Sequence, residues 1–193
     1  MCIRDRVRPQ LTSGTHAIST AFFGVLRPHD TLHYLTGMPY DTIQEVIGVA
    51  GNNPGTLEEH LINFSYTPLL DNGKVDYKRA KEDLQKDSSI KMVAIQRSRG
   101  YSSRDSFVVS EIAEMIKFVK KYAPQAIIFI DNCYGEFTET EEPTFYGADL
   151  MAGSLYKNAG GGIAKTGAFL VGNKDLIDRC GARLIVPGAG KNE

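Results

Sequence analysis

The sequence predicts an α/β fold around a mostly parallel sheet, and three observations carry that expectation. Segments of helical apolar period alternate with short runs rich in β-branched and aromatic residues along most of the chain. The most apolar run, residues 126–130 (AIIFI), shows no in–out alternation and leads straight into Asp131, as a central parallel strand buried on both faces would. Small-residue and glycine-rich stretches fall where these elements end, which is where open α/β sheets bind ligands.

The elements follow in order. Residues 15–26 (THAISTAFFGVL) are almost continuously apolar and are closed by Arg27-Pro28, so they predict a buried helix starting after Ser13-Gly14. Residues 31–36 (TLHYLT) predict a strand, 41–49 a helix with Asp41 or Thr42 near its N-cap, and 62–66 (INFSY) a second strand. A polar helix over 76–85, a strand over 91–95 (KMVAI) and an amphipathic helix over 110–122 come next, the last with Ile112, Met115, Ile116 and Val119 on one face. After the 126–130 strand, residues 148–152 and 167–171 predict further strands and 174–183 a final helix.

Composition narrows the class. The 193 residues are 42% apolar, with 22 basic against 23 acidic side chains, which fits one globular domain or a large part of one. That balance supplies no pull toward nucleic acid or an anionic membrane, and no apolar run approaches the roughly 18 residues of a membrane span. The opening MCIRDRVRPQ has no signal-peptide core, so a cytoplasmic location is expected. Cys2, Cys133 and Cys180 form no CxxC pair and are read as reduced thiols, with no metal site.

Three stretches offer chemistry. In LTSGTHAIS, residues 11–19, Ser13-Gly14 precedes a helix start whose free N–H groups suit a phosphate; an ordinary serine N-cap reads equally well. In IFIDNCYGEF, residues 128–137, Asp131 leaves an apolar strand and needs a partner: a protonated pyridine nitrogen, a metal, an arginine, or the loop it caps. In GSLYKNAGGG, residues 153–162, small neighbours around Lys157 allow a flat ligand to approach, and partial burial is expected to lower the lysine pKa toward a nucleophile or base; the alternative is a surface lysine beside a flexible loop. Arg97 and Arg99, after the 91–95 strand, are candidate carboxylate or phosphate binders or else ion-pair partners. The acidic run 136–142 (EFTETEE) reads as a solvated loop, and His16 as either a helix-start packing residue or a catalytic one.

The series SGTHA, TGMPYDT, DNCYGEF and GSLYKNAGGG, in this order, resembles the fold type I enzymes dependent on pyridoxal 5′-phosphate (PLP). More closely it resembles the methionine gamma-lyase family, whose members are also described as cystathionine beta-lyase-like aluminium-resistance proteins. The resemblance implies a three-layer αβα sandwich, with Ser13, Gly14 and Thr15 at the cofactor phosphate and Ser154 adding a hydroxyl. It further implies that Tyr40 stacks on the pyridine ring and helps move protons, that Asp131 pairs with the ring nitrogen, and that Lys157 holds the cofactor aldehyde and takes the substrate's α proton. The implied reaction is β or γ elimination from a sulfur amino acid, giving thiol, ammonia and a 2-oxo acid; an aldolase, an aminotransferase or a noncatalytic piece are the alternatives. A nucleotide-binding reading fails, because Gly160-Gly161-Gly162 is not in a GxGxxG frame and the terminal GAGK lacks Walker spacing.

The resemblance implies a protein roughly twice this length. The expectation is therefore a leader of foreign origin at 1–6, then a truncated PLP-binding large domain at 7–193 lacking an N-terminal segment and a small C-terminal domain. A substrate-carboxylate arginine is expected in that small domain, and the full-length protein is expected to be a homodimer or homotetramer.

Overall fold

The computed structural model describes residues 11–158 and 160–188. The expected 1–6 leader, Cys2 and all of the GAGK run after Gly188 lie outside the described residues. Twelve elements follow one another: α1 (Gly14–Val25), β1 (Thr31–Tyr34), α2 (Asp41–Ile47), β2 (Asn63–Tyr66), α3 (Tyr77–Lys86), β3 (Ile90–Gln96), α4 (Val109–Tyr122), β4 (Ile127–Asp131), a 3-10 turn (Pro143–Tyr146), β5 (Leu150–Ser154), β6 (Ala168–Gly172) and α5 (Lys174–Leu184). Every expected helix and strand is present, with ends shifted by a residue or two. The 3-10 turn is an addition.

The sheet runs β2-β1-β3-β4-β5-β6, all parallel except β6, which returns antiparallel to β5. That reversal follows from the 155–167 connection, which contains no crossover helix to carry the chain back to the starting edge. The middle strands are buried on both faces, and successive residues feed different cores. Met92, Ala94 and Phe129 pack with Phe22, Leu26 and Ile43 in the layer of α1, α2 and α5. Val93, Ile95, Ile128 and Ile130 pack with Leu84, Ile112 and Ile116 in the layer of α3 and α4. This is the three-layer sandwich.

Two local devices set α1 in place. Ser13 caps it by accepting from the His16 N–H at 3.1 Å. Gly24 lets α1 lie against α5, since a Cβ there would stand 3.0 Å from the Cys180 main chain.

One buried polar chain makes the fold sensitive to acid. Thr67 donates to Asp83 at 2.9 Å, so its oxygen accepts from His33 Nε2–H at 3.0 Å, leaving Nδ1 to accept from Ser65 at 2.8 Å. This network uses the neutral imidazole. Burial lowers the His33 pKa from 6.5 to about 4, against the opposing pull of Asp83 and Asp87. The unfolded chain takes up this proton near 6.5 and the folded one only near 4, so the contribution is complete above pH 6.5 and is lost as pH falls toward 4. Between pH 7 and pH 5 the wild type is expected to lose about 2 kcal/mol more in urea unfolding than a His33→Asn variant. Equal losses would contradict the neutral-imidazole assignment.

Candidate active site

The C-terminal ends of β4 and β5 and the start of α1 meet at one cleft of about 590 Å³, whose walls include Thr15, Tyr40, Arg99, Asp131, Cys133 and Lys157. These residues come from distant parts of the sequence and are brought together by the parallel sheet. Asp131 is the last residue of β4 and is 2% exposed. Its Oδ1 accepts from the Cys133 N–H at 3.1 Å. Burial raises its pKa, opposed by the hydrogen bonds from Cys133 and by the charge of Lys157. A cation placed against this carboxyl would restore its ionised form.

Ser154 ends β5 and is 1% exposed, yet its Oγ has no hydrogen-bond partner. It lies beside the first turn of α1, where a Cβ on Gly14 would be 3.9 Å from the Ser154 Cβ and 2.5 Å from Cys133 Sγ. The Gly14 and Thr15 N–H groups, at the positive end of that helix, have no acceptor among the described residues. Ser13 borders this turn, but its side chain is committed to the cap.

Tyr40, just before α2, bonds Thr15 Oγ1 through its hydroxyl at 3.0 Å and receives Gln96 Oε1 on its N–H at 3.2 Å. Burial, followed by the Asp131 charge, raises its pKa well above the ordinary value. The hydroxyl stays protonated at neutral pH.

Lys157 is half-buried, with Nζ 4.2 Å from the centre of the Tyr134 ring, a cation–π contact. The expected lowering of its pKa is not found. Burial does lower it, but Cys133, Tyr134, Tyr156 and Asp131 outweigh burial and the net shift is upward. The amine is therefore held as an ammonium.

The two arginines part company. Arg97 is 5% exposed, and all of its donors are engaged. Nε meets Phe107 O at 3.2 Å, Nη1 meets Asn132 Oδ1 at 2.8 Å and Gly135 O at 2.9 Å, and Nη2 meets Thr138 Oγ1 and Glu139. A substrate carboxylate would find no donor there, so Arg97 is corrected from a binding to a structural residue. Arg99 is exposed and lines both this cleft and an adjoining one of about 500 Å³ bounded by Met38, Tyr66 and Leu69.

The acidic run is solvated only in part: residues 137–140 are exposed, while Glu136 is buried and the Glu139 and Glu142 carboxylates accept from neighbouring donors. Glu139 accepts from Arg97 and from the Val109 N–H, and Glu142 accepts from Asn132 Nδ2 at 2.8 Å and the Phe137 N–H at 3.0 Å. Glu136 is 2% exposed and bonds Ser154. Glutamates fold inward here because buried donors need acceptors. His16 turns its ring toward Thr12, 3.3 Å away, and takes the packing role. Cys133, Tyr134 and Glu136 were not singled out by the sequence, although all three lie in the DNCYGEF run. Among the described residues no cluster of three or more His, Cys, Asp or Glu could hold a metal ion, and no helix is long and apolar enough to cross a membrane.

Comparison with known proteins extends the geometry. A sequence profile of the methionine gamma-lyase family matches residues 4–193. The chain is 53% identical over 186 residues to the uncharacterized protein YnbB of Bacillus subtilis, which covers 96% of this chain and 44% of YnbB. A Listeria monocytogenes structure, solved as a candidate cystathionine beta-lyase involved in aluminum resistance, superposes with TM-score 0.92 at 52% identity, over 97% of this chain and 47% of that one. A carbon-sulfur lyase involved in aluminum resistance from Clostridium novyi gives 0.90 at 46%, over 96% and 44%. At 16% identity and TM-score 0.64, a methionine gamma lyase from Micromonospora echinospora shares the fold, over 90% of this chain and 42% of that one. This chain spans about half the length of the curated relatives it matches.

Proposed function

The chain belongs to the methionine gamma-lyase family, and from that premise we propose that it carries the PLP site of a carbon–sulfur lyase acting on a sulfur amino acid. The observation that carries this reading is the convergence of Lys157, buried Asp131 and the partnerless Ser154 hydroxyl on one sheet edge.

The residues fit the cofactor. A phosphate would satisfy Ser154 Oγ together with the Gly14 and Thr15 N–H groups, at a helix end that favours anions. A protonated pyridine nitrogen is the cation that Asp131 lacks, and the Tyr40 ring supplies an aromatic face on the same cleft. When bound, PLP supplies an aldehyde that captures the substrate amine and a ring that accepts electrons from the bond broken at the α carbon.

The chain's own groups then divide the proton work. Lys157 Nζ, once it has given up its proton, takes the substrate's α proton and holds it. Tyr40 Oη, kept protonated by burial, gives a proton to the departing sulfur. Arg99, exposed at the cleft mouth, meets the substrate carboxylate. The apolar side of the adjoining cleft, Met38 and Leu69 among its walls, excludes water from the sulfur-bearing chain.

Incubation with PLP and a panel of sulfur amino acids tests the assignment, with thiol, ammonia and 2-oxo acid expected in equal amounts. Amino-group transfer to an added 2-oxo acid without thiol release would make the protein an aminotransferase instead. Asp131→Asn is expected to weaken PLP binding about 10- to 100-fold, the equivalent of a charge-assisted hydrogen bond of about 1.5–3 kcal/mol. Titration by visible absorbance measures it, and unchanged affinity would remove Asp131 from the site.

A further inference from the structure

β4 and β5 part after the Asp131–Ala152 pair, with the Asn132 N–H closing on Ala152 O at 2.9 Å. One step further along β5, the Ser154 N–H meets a side chain instead of a main-chain carbonyl: Glu136 Oε1 accepts at 2.5 Å. The 132–137 loop has doubled back to supply it. Doing so places two non-glycine residues in the left-handed region, Tyr134 at φ +71° and Phe137 at φ +58°, a backbone cost that persists only where contacts hold it.

The same loop grips the chain again just past Lys157. Asn158 Nδ2 donates to the Tyr134 carbonyl and, at 3.4 Å, to the Glu136 carbonyl. Between these two attachments the Tyr134 ring lies 4.2 Å from Lys157 Nζ. The 132–137 loop therefore holds residues 154 and 158, one on each side of the lysine: the Glu136 carboxylate takes the first, and the Tyr134 and Glu136 carbonyls take the second. Among the described residues, the buried side-chain atoms without a partner are Glu136 Oε2 and Ser154 Oγ, the two groups joined by this clamp. Burial raises the Glu136 pKa, against the hydrogen bond from Ser154.

We propose that Glu136 is a positioning residue for Lys157: its carboxylate ties the 132–137 loop to Ser154, and that loop's carbonyls in turn hold Asn158, so the lysine amine is kept over Tyr134. The inference rests on the reading of Lys157 as the cofactor lysine. A neutral acceptor suffices for the clamp, so Glu136→Gln should preserve it while Glu136→Ala and Asn158→Ala should release it.

Two measurements on the full chain separate the possibilities. The first, without PLP, is competitive acylation of lysines across pH, read by peptide mass mapping. The second is borohydride trapping of added PLP on Lys157. In both releasing variants, acylation of Lys157 at neutral pH is expected to rise about tenfold as its pKa falls back toward the ordinary lysine value, while the other lysines hold their rates. Trapping on Lys157 is expected to fall about tenfold or more as the amine leaves its orientation. Glu136→Gln should stay near wild type in both.

A rise in acylation confined to Lys157, with trapping falling, is what simple destabilisation cannot produce. Parallel acceleration of every lysine would mean that Glu136 holds the fold and not the amine, and unchanged Lys157 rates in both releasing variants would equally overturn the proposal. If Glu136→Ala does not fold, Asn158→Ala, at a half-buried loop position, carries the test. If wild type traps no PLP on Lys157 but its acylation separates as described, the cofactor reading falls and the positioning role stands.

Discussion

Replacing Lys157 by alanine is expected to abolish the borohydride-trapped pyridoxyl adduct on peptide 154–158 and to lower thiol release about 10²- to 10⁴-fold. The size of the effect follows from what the cleft contains. Lys157 is the lysine among its walls; the other ionisable neighbours, among them Asp131, Tyr40, Cys133 and the guanidinium of Arg99, offer no amine nucleophile. Cys133 is a poor substitute nucleophile, because burial, with Asp131 adding to it, pushes its thiol far above neutrality. The ammonium form of Lys157 gives the experiment a second signature. Since only the unprotonated amine attacks an aldehyde, wild-type trapping should rise as pH increases toward the raised lysine pKa. An adduct of undiminished yield on a different lysine of Lys157→Ala would place the reactive amine elsewhere.

Arg97→Ala is expected to cost about 3–5 kcal/mol in urea unfolding, because a buried guanidinium is removed and several buried acceptors are left without a donor. The loss reaches beyond the Glu139 and Glu142 charges. Phe107 O, Asn132 Oδ1 and Gly135 O would each lose a donor in the interior. Gly135 shows how tightly the guanidinium is enclosed, since a Cβ there would stand 2.3 Å from Nη1. Arg97→Lys should recover only part of the loss, because an ammonium cannot reach acceptors arrayed around a planar fork. A change below about 1 kcal/mol would place this cluster with ordinary surface pairs.

The alternation of elements was legible because burial imposes a period on each segment separately, as in α4 with Ile112, Met115, Ile116 and Val119 on its core side. Asp131 was legible for a related reason: a carboxylate ending the run IIFI has few places to go but the sheet edge. Direction and partnership are not written locally. The antiparallel return of β6 depends on the 155–167 connection and not on the strand's own residues. Arg97 and Arg99 look alike in sequence, and which one turns inward is set by acceptors at 107, 132, 135 and 138. The partners of glutamates 136, 139 and 142 were not legible because the donors that meet them belong to β5, to Arg97 just past β3 and to the loop after β4. The pKa direction of Lys157 was not legible, since burial was visible in the small residues around it and the cluster of Cys133 and Tyr134 was not.

The cleft is assembled from residues 15, 40, 131 and 157, held next to one another by the order β1-β3-β4-β5 in the middle of the sheet. No two of these four are neighbours in the chain, so the binding site has no local precursor. A folding chain that had paired β1 with β3 alone would possess Tyr40 beside Gln96 and neither Asp131 nor Lys157 in position. Pairing of distant parallel strands is slow, because loop closure must precede any contact that rewards it. Cofactor capture is thus a reporter of the last stage of assembly: in a refolding experiment the visible absorbance of bound PLP should appear after the far-ultraviolet helical signal, and the interval between them times the docking of β4 and β5.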